Sequence, residues 1–149
     1  MTTVAASMKF REIAADSKCS DDSSHYLVPK LRFGEDYCRG AAGDWDKCIK
    51  FHELTDKGGE ADDDLDIEAI ELRPDGIYVY EGILTAVKIK NQFYAIGSGA
   101  PYALAAMRLG LSPKEAVAIA AEFDPGTGGE IDVWKLPEIT KPRRRRKSA

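Results

Sequence analysis

Histidine is scarce in this chain: among 149 residues only His25 and His52 occur, and neither stands at metal-ligand spacing from a cysteine, which argues against a zinc site. The three cysteines, Cys19, Cys38 and Cys48, form no Cys-x-x-Cys pair, and their odd number argues against a disulfide framework. Reduced thiols in a cytosol fit that count, so a cytoplasmic location is expected. Long apolar runs are missing too. The longest lies around Tyr102 to Met107, far short of a membrane span, and no basic region leads into a hydrophobic stretch near the start. A soluble chain with no membrane partner is the expectation. No GKS or GKT follows the glycine-rich pieces, so a phosphate loop is not indicated, and Gly97-Ser98-Gly99 is not a GxSxG elbow. Counting alone leaves a Ser-His-Asp triad open. No cofactor and no metal are expected.

What is present suits one globular domain, since 149 residues with 44% apolar content can bury a sizeable core. The formal charge of -4 hides an asymmetry: residues 143–147 read Arg-Arg-Arg-Arg-Lys, and without them 16 basic residues face 25 acidic ones. An acidic body is a poor partner for duplex nucleic acid. Phosphate contact, or contact with an acidic protein surface, is confined to the stretch from Arg143 to Lys147. The expected organisation is a domain over residues 1–139 and a basic, disordered tail over 140–149.

Along the chain, residues 3–7 and 10–16 predict a hairpin, and the polar cluster from Cys19 to Ser24 predicts a loop. Residues 25–33 predict a strand with Pro29 at an edge or bulge, and 35–41 another that ends by Gly43. From Asp44 the period becomes helical, with Trp45, Cys48, Ile49 and His52 on one face and Gly58-Gly59 as the stop. The acidic stretch 60–64 predicts a solvated linker. Strands follow over 65–73, 77–80, 84–88 and 93–97, then helices over 98–109 and from Ser112 to about Phe123, the second opened by the capping box Ser112-Pro113-Lys114-Glu115. A last strand over 131–136 closes the domain. That order predicts an α+β fold of two mostly antiparallel sheets packed face to face with helices outside.

The start, Met1-Thr2-Thr3, carries latent chemistry. Loss of Met1 would give Thr2 a free α-amine beside its hydroxyl, and such an amine titrates near pH ~7.7 to 8.0, where a general base works well.

Several phrases in order resemble the proteasome β-type subunits and HslV-type peptidases, which are N-terminal-nucleophile hydrolases. They are Thr2-Thr3, Ala14-Ala15-Asp16-Ser17, Lys30, Gly40-Ala41-Ala42-Gly43, the run from Tyr94 to Ala103, Glu115 to Ala121, and Asp124-Pro125-Gly126-Thr127-Gly128. The resemblance implies a four-layer αββα sandwich. It makes Thr2 the nucleophile, with Lys30 beside it and Asp16 compensating the Lys30 charge. Ser98 and Asp124 would hydrogen-bond around the terminal amine, Thr127 would stand where the family usually has serine, and the Gly43 N–H would be the oxyanion donor. By the same likeness Cys19, Val28, Arg32, Ala41 and Trp45 would line the pocket for the residue before the cut bond. Read without the family, Lys30 would be a solvated strand charge, Asp16, Gly43 and Asp124 turn residues, Ser98 a helix N-cap and Trp45 core.

The resemblance covers most of residues 2–136, but the helical hairpin typical of the family after its first helix is replaced by the acidic stretch between Lys57 and Leu65, so one helical layer is expected to be shortened. It implies peptide or unfolded-protein substrates, a homo-oligomeric ring, and an ATPase unfoldase as partner. Exposure of Thr2 would require only methionine aminopeptidase. Two other readings stay open: an inactive shell or scaffold of the same fold with a basic partner-binding tail, and an amidase acting on a small amide.

Overall fold

A computed structural model describes residues 2–20, 24–58, 65–81 and 85–138. The expectations for Met1, the acidic stretch 60–64 and the tail 140–149 lie outside these residues. The elements run β1 (Thr3–Ser7), β2 (Glu12–Ala15), β3 (Lys18–Ser20), β4 (His25–Leu27), β5 (Leu31–Phe33), β6 (Cys38–Ala42), α1 (Trp45–Asp56), β7 (Glu68–Arg73), β8 (Gly76–Glu81), β9 (Val87–Ile89), β10 (Phe93–Gly97), α2 (Ala100–Arg108), α3 (Pro113–Phe123) and β11 (Asp132–Lys135).

Two antiparallel sheets form the centre, one of four strands in the order β10-β1-β2-β11 and one of five in the order β5-β6-β7-β8-β9. Strand periodicity sorts their side chains into three apolar layers. Val4, Ala6, Ile13 and Ala15 from one sheet meet Cys38, Ile70, Leu72 and Ile77 from the other. The opposite face of the first sheet presents Ala5, Ala14 and Ala95 to Ala103, Ala106, Ala116 and Val117 of α2 and α3. Small side chains on both sides let the helix pair sit close to the strands. On the far side, Ala41, Ala69 and Tyr80 pack under Cys48 and Phe51 of α1. The result is the αββα sandwich, with α1 the sole helix over the five-stranded sheet among the described residues. The capping box at Ser112 forms as expected, its hydroxyl accepting from the Glu115 N–H at 3.2 Å.

The region 18–33 differs from expectation. Instead of a loop followed by one strand, Lys18–Ser20 pairs with His25–Leu27 as a separate hairpin, and Leu31–Phe33 joins a different sheet. Pro29 explains the break, since it has no N–H to extend a ladder. Lys30 thereby sits at a corner between sheets and not within a strand.

The outer face of the five-stranded sheet also holds charge that hydropathy patterning does not foretell. Arg39 and Glu71 oppose one another across β6 and β7, with Arg39 Nε 2.9 Å from Glu71 Oε1. The Arg39 Nη1 donates to Asp56 Oδ1 at 3.2 Å and meets His52 Nδ1 at 3.4 Å. Burial, then the Arg39 and Arg32 guanidiniums, push the His52 imidazole down to about 4, against the opposing pull of Asp56. A neutral His52 is therefore part of the folded state, whereas in the unfolded chain it titrates near 6.5. Stability is fully present above that higher value and falls as pH is lowered toward about 4. In urea titrations at several pH values, His52→Phe, which keeps a ring beside Phe51, is expected to flatten this part of the profile; parallel profiles would contradict it.

Candidate active site

Thr2 lies immediately before β1, a central strand of the four-stranded sheet, and is buried to 5% exposure. Its position depends on Gly97, which pairs with Thr3 at the end of β10. Gly97 has φ +93, and a Cβ there would stand 1.9 Å from the Thr2 carbonyl oxygen. Only glycine accepts both the backbone and the approach.

Asp16 leaves β2 beside Thr3, and Lys30 arrives from the corner made by Pro29. The Lys30 Nζ donates to Thr2 Oγ1 and to Asp16 Oδ1, both at 3.0 Å, and to the Lys18 carbonyl at 2.5 Å. Each of these oxygens can accept a proton of the ammonium. Asp16 is fully buried and satisfied in turn: Oδ1 also accepts the Thr3 N–H at 3.0 Å, and Oδ2 accepts the Gly128 N–H at 3.1 Å. Burial of an ammonium costs several kcal/mol unless it is paired and hydrogen-bonded, as Lys30 is.

A second carboxylate closes the other side. Asp124 Oδ2 accepts the hydroxyls of Ser98 and Thr127, each at 2.6 Å, and Oδ1 accepts the Gly126 N–H at 3.3 Å. Burial works against its charged form, but these three donors prevail and hold the carboxyl below its ordinary range. Ser98 Oγ also reaches the Thr2 carbonyl at 3.5 Å.

Thr2, Gly97 and Ser98 form one wall of a cleft of about 550 Å³, and Gly43, Asp66 and Ile67 are among the residues that complete it. Gly43 has φ +141, which favours glycine, and a Cβ there would lie 3.0 Å from Ile67 Cγ2. The described lining does not include the five residues expected to line a substrate pocket. Ala41 and Trp45 belong to the apolar layer under α1. Arg32 is ion-paired with Asp56 at 2.8 Å, Cys19 lies half-buried in β3, and the Val28 N–H donates to the Ser17 carbonyl. The lining instead brings in Asp44, Asp66 and Glu68. No local pattern marks these acids as cleft residues, and by periodicity Thr3 is only the first residue of a strand. Only the register of β1 against Gly97 and Asp16 picks out Thr3.

No protein-family model matches the sequence, and no curated protein matches it either. Solved structures do. Eukaryotic HslV from Trypanosoma brucei superposes with a TM-score of 0.73 at 20% identity, covering 89% of this chain and 98% of that one. BPH from Thiobacillus denitrificans, in complex with epoxomicin, gives 0.70 at 21% identity over 91% of this chain and 100% of that one. Another structure of BPH from the same organism gives 0.61 at 20% identity, with 92% and 98% covered. Likeness at this level of identity establishes the fold alone: the chain has the fold of HslV and BPH.

The buried pair behind Thr2 sets a stability expectation. Asp16→Ala strips the Lys30 ammonium of its countercharge and should cost about 3 to 5 kcal/mol. Chemical denaturation measures it, and the double variant Asp16→Ala, Lys30→Met should recover part of the loss. A single variant as stable as the wild type would contradict the buried pair.

Proposed function

We propose that this chain is a threonine-type endopeptidase subunit whose nucleophile is Thr2 after removal of Met1. The observation that carries the reading is the 3.0 Å contact from the Lys30 ammonium to Thr2 Oγ1, with Asp16 against the same ammonium. A threonine hydroxyl needs a base to take its proton and a positive charge to stabilise the oxygen left behind. Lys30 supplies the charge, and that charge also disfavours protonation of a nearby α-amine, leaving it free to act as base.

In the proposed cycle the Thr2 oxygen attacks a peptide carbonyl while its α-amine takes the hydroxyl proton. The Gly43 N–H polarises the carbonyl oxygen. The amine then protonates the leaving nitrogen, the peptide bond breaks, and an ester to Thr2 remains. Water attacks the ester, gives its proton to the amine, and that proton returns to the Thr2 oxygen as the acid product leaves.

We place this activity in the cytoplasm, in a homo-oligomeric ring that admits unfolded chains, with an ATPase unfoldase as partner. The likeness to HslV supports assembly. So do the exposed apolar side chains Tyr102, Leu109 and Phe123 on the helix pair. A second reading, an inactive shell of the same fold, is favoured by the single helix over the five-stranded sheet among the described residues. It predicts discrete oligomers without hydrolysis.

Intact mass of the natural protein together with a fluorogenic peptide assay tests the proposal. The expected result is loss of Met1 and turnover that falls roughly a thousandfold or more in Thr2→Ala. Retained Met1, or equal turnover by the two proteins, would refute it. Cleavage of small amides but not peptides would point to an amidase instead.

A further inference from the structure

Thr3 has no part in the cycle above, yet it is fully buried and bonded toward both carboxylates that flank Thr2. Its N–H donates to Asp16 Oδ1 at 3.0 Å, the same oxygen that receives the Lys30 ammonium. On the other side its hydroxyl lies 2.7 Å from Thr127 Oγ1. Proton counting gives that bond a direction. Thr127 has one hydroxyl proton and donates it to Asp124 Oδ2 at 2.6 Å, so Thr3 is the donor to Thr127. Asp124 Oδ2 also accepts Ser98, whose oxygen reaches back to the Thr2 carbonyl. By the same count Ser98 gives its one proton to Asp124, so the chain of bonds runs from Thr3 through Thr127 and Asp124 to Ser98, whose oxygen stands 3.5 Å from the Thr2 carbonyl.

Two further observations say the hydroxyl matters there. A buried hydroxyl next to an apolar layer of alanines costs free energy unless it is bonded, and valine would fill the same strand position with nearly the same shape. Room for the bond is also reserved by Gly99: a Cβ there would stand 2.0 Å from Thr3 Oγ1 and 3.1 Å from Thr127 Oγ1. Successive hydroxyl donors polarise one another, so Thr3 strengthens the bond that Thr127 makes to Asp124.

We infer that Thr3 is a positioning residue of the Thr2 site: its hydroxyl, acting through Thr127, fixes Asp124 and the Ser98 bonded to it beside Thr2, while its N–H holds Asp16 against Lys30. The inference rests on the peptidase reading above. It assigns Thr127 the middle of this link, beyond its place beside Asp124.

The test compares the full chain with a verified Thr2 terminus against Thr3→Val, Thr3→Ser, Thr127→Val and the double Thr3→Val, Thr127→Val variant, in steady-state peptide hydrolysis. Misplacement of a nucleophile lowers turnover more than binding, so Thr3→Val should reduce kcat about tenfold or more with KM within about twofold. Thr3→Ser, which keeps the hydroxyl, should stay within about threefold of wild type. Because both valine substitutions cut one link, the double variant should be no slower than the slower single one. If Thr3→Val does not fold, Thr127→Val reads the same link from its other end, with the same fall in kcat expected. Wild-type kcat in the folded valine variants, equal losses in Thr3→Ser and Thr3→Val, or fully additive losses would each overturn the inference. A wild-type chain that cleaves no peptide would overturn the peptidase reading instead. The link is then judged by melting temperatures: non-additive shifts in the double variant keep it, and additive shifts remove it.

Discussion

The Lys30 ammonium is the constraint on which the rest of the site depends. It is 2% exposed, and a charge so placed persists only where acceptors from several segments converge on it. Those acceptors come from two segments distant from Lys30 in sequence: Thr2 just before β1, and the passage from β2 into β3, where Asp16 and Lys18 stand close together. Satisfying one cation therefore fixes the relative position of three strand ends. It also explains the break at Pro29: a continuous strand would carry Lys30 along a ladder, whereas the corner turns it into the interior.

The layered architecture supplies the rigidity that such a site needs. Thr2 enters a central strand whose neighbours on both sides are paired, and whose two faces are covered by the other sheet and by the α2-α3 pair. Alanine on the helix-facing side brings those helices close, and with them the loop after α3 that carries Asp124, Thr127 and Gly128. Gly128 then donates back to Asp16, so the two carboxylate clusters are joined by backbone as well as by side chains.

Much of this was legible in the sequence, for reasons that differ by element. Helical period marked α1, the capping box marked α3, and glycine or proline marked several strand ends. The pairing of Asp16 with Lys30 was not readable from spacing, because the stretch between them holds two short strands whose register no local pattern specifies. Only the resemblance in ordered phrases suggested it. Arg39 and Glu71 escaped for a related reason. Each sits in an alternating strand where a charged residue ordinarily faces water, and only the register of β6 against β7, with α1 laid above, makes them a buried pair. The acids that border the cleft are likewise brought together by tertiary structure, with Asp44 before α1 and Asp66 before β7.

The two carboxylates beside Thr2 are built differently, and the difference bears on what each can do. Asp16 faces an ammonium and two backbone N–H groups, so its negative charge is balanced and its protons come from rigid donors. Asp124 instead faces two hydroxyls and one backbone N–H. Hydroxyls rotate and can exchange the roles of donor and acceptor, whereas a paired ammonium cannot. In the proposed cycle the α-amine gains and loses a proton while Lys30 stays charged throughout. The side that must respond to that change is then the hydroxyl side, where Ser98 and Thr127 can reorient about a carboxylate that burial alone would have pushed toward its neutral form. All of this requires that the Thr2 nitrogen be an amine. As an amide behind Met1 it has no proton affinity to offer, and the same geometry would surround an inert residue.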